Sequence, residues 1–88
     1  MNNQANNTDT TITIRNMRPC VIFEGLHHGD LYRGEQHVAD VEHWQQDPKS
    51  ATGEPAWVAR WRESKRASLV CRDSASLVAA AIANLRKR

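Results

Sequence analysis

AWVARWRESKRASLVCRDSASLVAAAIANLRKR, residues 56–88, is the stretch whose reading decides the fold. Trp57, Ala59 and Trp61 alternate with Val58, Arg60 and Arg62, the two-residue period of a strand with one buried and one wet face. Ala67, Leu69 and Cys71 alternate with Ser68, Val70 and Arg72 in the same way. The connection decides which faces coincide, because residues opposite each other across a hairpin lie on one side of the sheet. A two-residue loop, Ser64-Lys65, sets Trp61 against Ser68 and mixes both faces. A three-residue loop, Ser64 to Arg66, sets Trp61 against Leu69 and Ala59 against Cys71, which gives one clean apolar face. The odd loop is preferred, although the turn has no glycine for its left-handed position. Val58, Arg60, Arg62, Ser68, Val70 and Arg72 then share the opposite face, with Lys65 and Arg66 at the tip.

Asp73-Ser74 offers a helix N-cap, and Leu77, Val78, Ala81, Ile82 and Leu85 fall on one side of a 3.6-residue helix. Lys and Arg crowd its end, where they suit the negative pole of the helix dipole. The other side, Ser76, Ala79, Ala80 and Ala83, is small and uncharged. Alanine makes good helix in any case, and the same surface is a possible dimer face.

With 88 residues the chain is one domain that buries only part of its surface, so modest stability is expected. Cys20 and Cys71 lie far apart without C-x-x-C spacing, which argues against a disulfide framework or zinc ribbon and for a reduced, cytoplasmic setting. No apolar run reaches transmembrane length, and the N-terminus lacks the regions of a signal peptide. The net charge of +2 is unevenly spread. Residues 1–50 carry four basic and seven acidic side chains, a net of −3, whereas residues 51–88 carry eight and three, a net of +5. Such asymmetry points to an interaction surface.

Residues 1–9 are asparagine-rich and aperiodic, and read as a disordered tail before a single domain over 10–88. Thr10 to Asn16 alternates as a strand with Ile12 and Ile14 inward. Met17-Arg18-Pro19 interrupts it, and Cys20 to Glu24 resumes as a second short strand or as a continuation past a bulge. Gly25 to Gly34, with three of the four glycines, reads as a loop. Gln36 to Trp44 reads as a strand, with a helix as the alternative, and Gln45 to Pro55 as a long hairpin connection into Trp57. The expected fold class is α+β, an antiparallel sheet of four to five strands packed on one C-terminal helix.

No catalytic set, cofactor loop or oxyanion hole is discernible, so neither an enzyme nor a cofactor is expected. His27, His28, Asp30, His37 and His43, with Cys20 and Cys71, are metal-ligand types, but they lack the repeated short spacing of a structural site, and no metal is expected. A Cys71 pair with His37 or His43 is drawn and set aside, because Cys71 beside Ala59 is a buried, inert thiol. The main functional signal is the basic set Arg60, Arg62, Lys65, Arg66 and Arg72. Arginines on a sheet face bind phosphates or an acidic protein surface, and a sheet can enter a major groove. The acidic counterpart is Glu24, Asp30, Glu35, Asp40, Glu42 and Asp47. Trp44, Trp57 and Trp61 are read as core filling rather than as base-stacking platforms.

The segment W-V-A-R-W, turn, A-S-L-V-C-R-D-S and then the helix with Ala79 to Ala83 resembles the arm-type DNA-binding domains of tyrosine recombinases. That resemblance covers about the last third of the chain and implies a sheet entering a major groove with the helix behind it. In length, lone-domain character and split charge the chain also resembles the small phage proteins that inhibit host defence, the anti-CRISPR group. That second resemblance implies a non-enzymatic protein that binds and blocks a nucleic-acid-handling protein or ribonucleoprotein complex. The alternatives are a DNA-binding module on the basic sheet face and a homodimeric structural protein. No membrane partner is expected, and the protein is taken as monomer or homodimer.

Overall fold

The computed structural model describes residues 11–63 and 65–86. The tail expected over residues 1–9 lies outside them. Among the described residues there are five strands, β1 (Ile12–Pro19), β2 (Leu26–Arg33), β3 (Gln36–Trp44), β4 (Ala56–Trp61) and β5 (Leu69–Cys71), followed by one helix, α1 (Ser74–Arg86). Strand order follows chain order and every pair is antiparallel. The expected α+β class is therefore the observed one, and Gln36–Trp44 is a strand.

The β4–β5 pairing keeps the expected faces but slips by two residues. Ala59 stands opposite Leu69 and Trp57 opposite Cys71, so β4 ends and β5 begins farther apart in the chain than a three-residue loop requires. A two-residue slip preserves which side chains share a face. Trp57, Ala59, Trp61, Leu69 and Cys71 remain on the helix side. A glycine-free turn does not favour the tight hairpin, and the longer loop avoids it.

Two segments differ from their sequence reading. Gly25 to Gly34 is not a loop, because Leu26–Arg33 is a full strand in the middle of the sheet. Gly25 and Gly34, at φ 83° and 61°, form the turns at its two ends, and Gly34-Glu35 makes a two-residue hairpin into β3. Gly29 lies inside the strand, where a Cβ would collide with Met17 Sδ. Cys20 to Glu24 is the reverse case, bends and a turn rather than a strand. Instead β1 runs on through Pro19, with a register shift between Arg15 and Arg18 and Asn16 at φ 62°. β1 lies at the side of the sheet, where proline's missing N–H leaves no ladder bond broken.

α1 packs its Leu77 and Ala81 onto Ile12, Leu31, Ala39, Val41, Ala59 and Trp61, with Val78, Ile82 and Leu85 around them. Ala39 and Ala59 are fully buried, and their small side chains let the helix approach the sheet. The helix starts where expected: Asp73 Oδ1 accepts the Ser76 N–H at 2.7 Å. That bond holds the Asp73 carboxyl below its ordinary value.

Candidate interaction surface on the open sheet face

Strand alternation sends every second side chain of β1–β5 away from the helix. The register aligns Arg15, Asp30, Asp40 and Arg60 in one cross-strand row, Arg18, His28, Glu42, Val58 and Val70 in the next, and Leu26, Trp44 and Ala56 in a third. The basic and acidic surfaces of the sequence are thus interleaved on one face. Arg60 Nε donates to Glu42 Oε2 at 3.1 Å, and Trp44 Nε1 donates to Glu42 Oε1 at 3.2 Å. Burial pushes the Glu42 carboxyl up, but the bonds from Arg60 and Trp44 outweigh it and hold the group below its ordinary value. Arg72 reaches Asp47 at 3.1 Å, Glu54 at 3.2 Å and the Pro55 carbonyl at 3.0 Å. The Lys49 backbone N–H, with Arg72 adding to it, lowers the Asp47 carboxyl.

The remaining sequence candidates do not join one patch. Arg62 points at His37 Nδ1, 3.4 Å away. Arg66 lies on the helix side, where it donates to Glu63 and to both oxygens of Asn84 and stacks over Trp61. Lys65 is exposed on the β4–β5 loop. Glu24 is exposed on the β1–β2 turn, and Glu35, at the β2–β3 turn, is bridged by Arg15 at 3.2 Å. On α1, Ser76, Ala79 and Ala83 are exposed and Ala80 is half-buried.

Asp30 and Asp40 face each other across β2 and β3, an arrangement that repels unless a cation or donor intervenes. His37 does so: its Nε2 lies 3.1 Å from Asp40, 3.6 Å from Asp30 and 2.9 Å from the Ala39 carbonyl. The Asn16 amide donates to Asp30 at 2.9 Å, and Arg18 stands 3.9 Å from it. Asp30, His37 and Asp40 bring three donor atoms within 4.8 Å of one another, the group best suited to a metal ion among the described residues. Arg62 on Nδ1 favours the tautomer with the proton on Nε2, however, which makes Nε2 a hydrogen-bond donor to the aspartates rather than a free ligand.

The sequence reading missed the apolar part of this face. Val21, Ile22 and Phe23, at 98%, 77% and 56% exposure, form a knob on the β1–β2 turn, and Val70 is 61% exposed. The signal was present: three consecutive large apolar residues cannot all face inward from one strand. The Cys20 N–H bonds the Leu26 carbonyl, and the Ile22 and Phe23 amides donate to Cys20 Sγ. Those two amides, with His28, lower the Cys20 thiol below its ordinary value. Phe23 packs on Trp44, ring centroids 6.1 Å apart. On the other side of Trp44 a groove of about 260 Å³ opens, lined by Ala56, Val58, Val70 and Pro48 and bordered by the Glu42–Arg60 pair.

The helix side carries a second row, His27, His43, Trp57 and Cys71. His43 stacks on Trp57 at 4.0 Å, and burial, helped by the charge of His27, lowers its pKa. Burial raises the Cys71 thiol, with Asp73 adding to the shift. A base depressed in the folded state leaves the unfolded chain binding more protons, so stability falls as pH drops below the ordinary histidine value near 6.5. Glu42 adds a second loss of the same sign below its ordinary value of 4.5. Urea midpoints measured from pH 8 to pH 4 should therefore fall with acid, and His43→Gln should flatten the upper part of that slope while leaving the lower part. A flat wild-type profile between pH 7 and 5 would contradict the assignment.

No helix among the described residues is long and apolar enough to cross a membrane. Comparison of the chain with protein families, with curated proteins and with solved structures finds no match to any of them.

Proposed function

We propose that this chain is a non-enzymatic interaction protein whose open sheet face binds another protein. The observation that carries this reading is the combination on one face of exposed apolar anchors with arginines already engaged by carboxylates. Arg60 and Arg72 are held by Glu42, Asp47 and Glu54. Gripping phosphates would first require breaking those pairs, which disfavours the DNA-binding alternative. Aromatic and aliphatic anchors inside a polar rim are instead the anatomy of a protein-binding surface. The partner class, a nucleic-acid-handling or defence complex of a host cell, is carried by the resemblance to small phage inhibitors alone, and the reduced, cytoplasmic setting by the cysteine usage.

The test has two arms. Labelled duplex DNA, titrated by fluorescence anisotropy at low and physiological salt, is expected to show no tight, steeply salt-dependent binding. Steep salt dependence that is lost in Arg60→Glu would replace this reading with the DNA-binding one. In the second arm, tagged wild type and Val70→Asp are used as baits in a cell lysate. A protein retained by the first and lost by the second is expected, and identical catches would count against the open face.

A further inference from the structure

The apolar surface around Trp44 has two complementary halves, a projecting knob and a recessed groove. Of the five large apolar side chains exposed among the described residues, four belong to it: Val21, Ile22, Phe23 and Val70. Phe23 rests on Trp44 and Val70 lines the groove beside it, and exposed apolar patches of about 300–600 Å² are often functional. The knob is preorganised. The Cys20 to Leu26 and Gln45 to Gly25 backbone bonds, both 2.8 Å, close its base, and the Phe23 ring is braced on Trp44. Little ordering entropy is lost when such a loop is buried.

We propose that two copies of this chain pair face to face in solution, the Val21–Phe23 knob of each seated in the Trp44–Val58–Val70 groove of the other. A two-fold axis brings each patch onto its own copy, so a knob and groove side by side on one chain form two identical contacts in the pair. Charge points the same way. Across a two-fold only groups near the axis meet their own copies, and here Glu42 is matched by Arg60 and Asp47 by Arg72 within each chain, so these groups bring little net charge to the contact. Burying the patch on both copies removes on the order of 1,000 Å², the lower limit for a specific interface, so a dissociation constant in the micromolar range is expected. The pairing competes with a protein partner for the same face but does not depend on one.

Sedimentation velocity of the full chain in reductant, which keeps the Cys20 thiols from cross-linking, tests this across the micromolar range. The expected result is a concentration-dependent rise towards twice the 10.0 kDa chain mass. Ile22→Asp and Val70→Asp should each weaken the association about a hundredfold. Both positions are exposed, and unchanged circular dichroism would show that the variants fold. Ala79→Glu/Ala83→Glu, on the free side of α1, should leave the dimer intact. A wild type that stays monomeric, or a dimer split by the helix variant and not by Ile22→Asp, would overturn the proposal. A monomer that still retains a co-purifying protein through Val70 would do the same while leaving the proposed function standing.

Discussion

Leu77→Ala should remove about 3 kcal/mol of folding stability, the middle of the range for truncating a fully buried leucine. Leu77 is 0% exposed and sits where α1 meets the sheet. Its neighbours in that layer include Ala39, Ala59 and Ala81, side chains too short to move into the vacated space. The cavity should therefore persist, and the loss should include both the transfer and the cavity contributions. In a domain of 88 residues such a change is a large share of the total stability. Urea unfolding followed by tryptophan fluorescence should show a lower midpoint with an unchanged slope. A loss below 1 kcal/mol would mean that the helix is not packed on the sheet through this residue.

The second large effect is expected at Gly29. A Cβ there would overlap Met17 Sδ and come within 3.3 Å of the Arg15 carbonyl oxygen. The thioether is the flexible end of an unbranched side chain and can swing aside, but the carbonyl belongs to the neighbouring strand. Of Gly29→Ala and Gly29→Val, the first should thus cost the less, because Met17 can swing aside and the Arg15 carbonyl, 3.3 Å from the new Cβ, needs to give by only a few tenths of an ångström. Gly29→Val adds branches that press on β1 itself, and a loss of about 2–3 kcal/mol is expected. The pair of variants separates the two contributions: equal midpoints for alanine and valine would show that β1 does not press on Gly29.

Much of this fold was legible because the period carried it. Ile12, Trp57, Ala59, Trp61, Leu77 and Ala81 all face the core as their spacing implies, and parity alone was enough to assign the faces of β4 and β5 although the pairing itself slipped by two. The β2 strand was hidden by its glycines, which mark turns far more often than a site of close approach. Only the placement of Met17 over Gly29 distinguishes the two, and that contact crosses from one strand to another. Charge was legible as composition but not as geometry. The sequence separates an acidic half from a basic half, whereas the sheet sets Glu42 beside Arg60 and Asp47 beside Arg72, so the halves largely cancel where they meet. The apolar knob escaped because V-I-F reads as strand until the backbone is seen to turn around Cys20.

The outer margins of the sheet also bear on how the protein behaves when concentrated. β1 is broken at Asn16 and ends on Pro19, and β5 is three residues long. Neither margin offers a long straight row of free amides and carbonyls onto which another chain could add as a sixth strand. Among the described residues both margins thus disfavour fibrous growth by strand addition, whereas the face-to-face pairing proposed above would close after two copies.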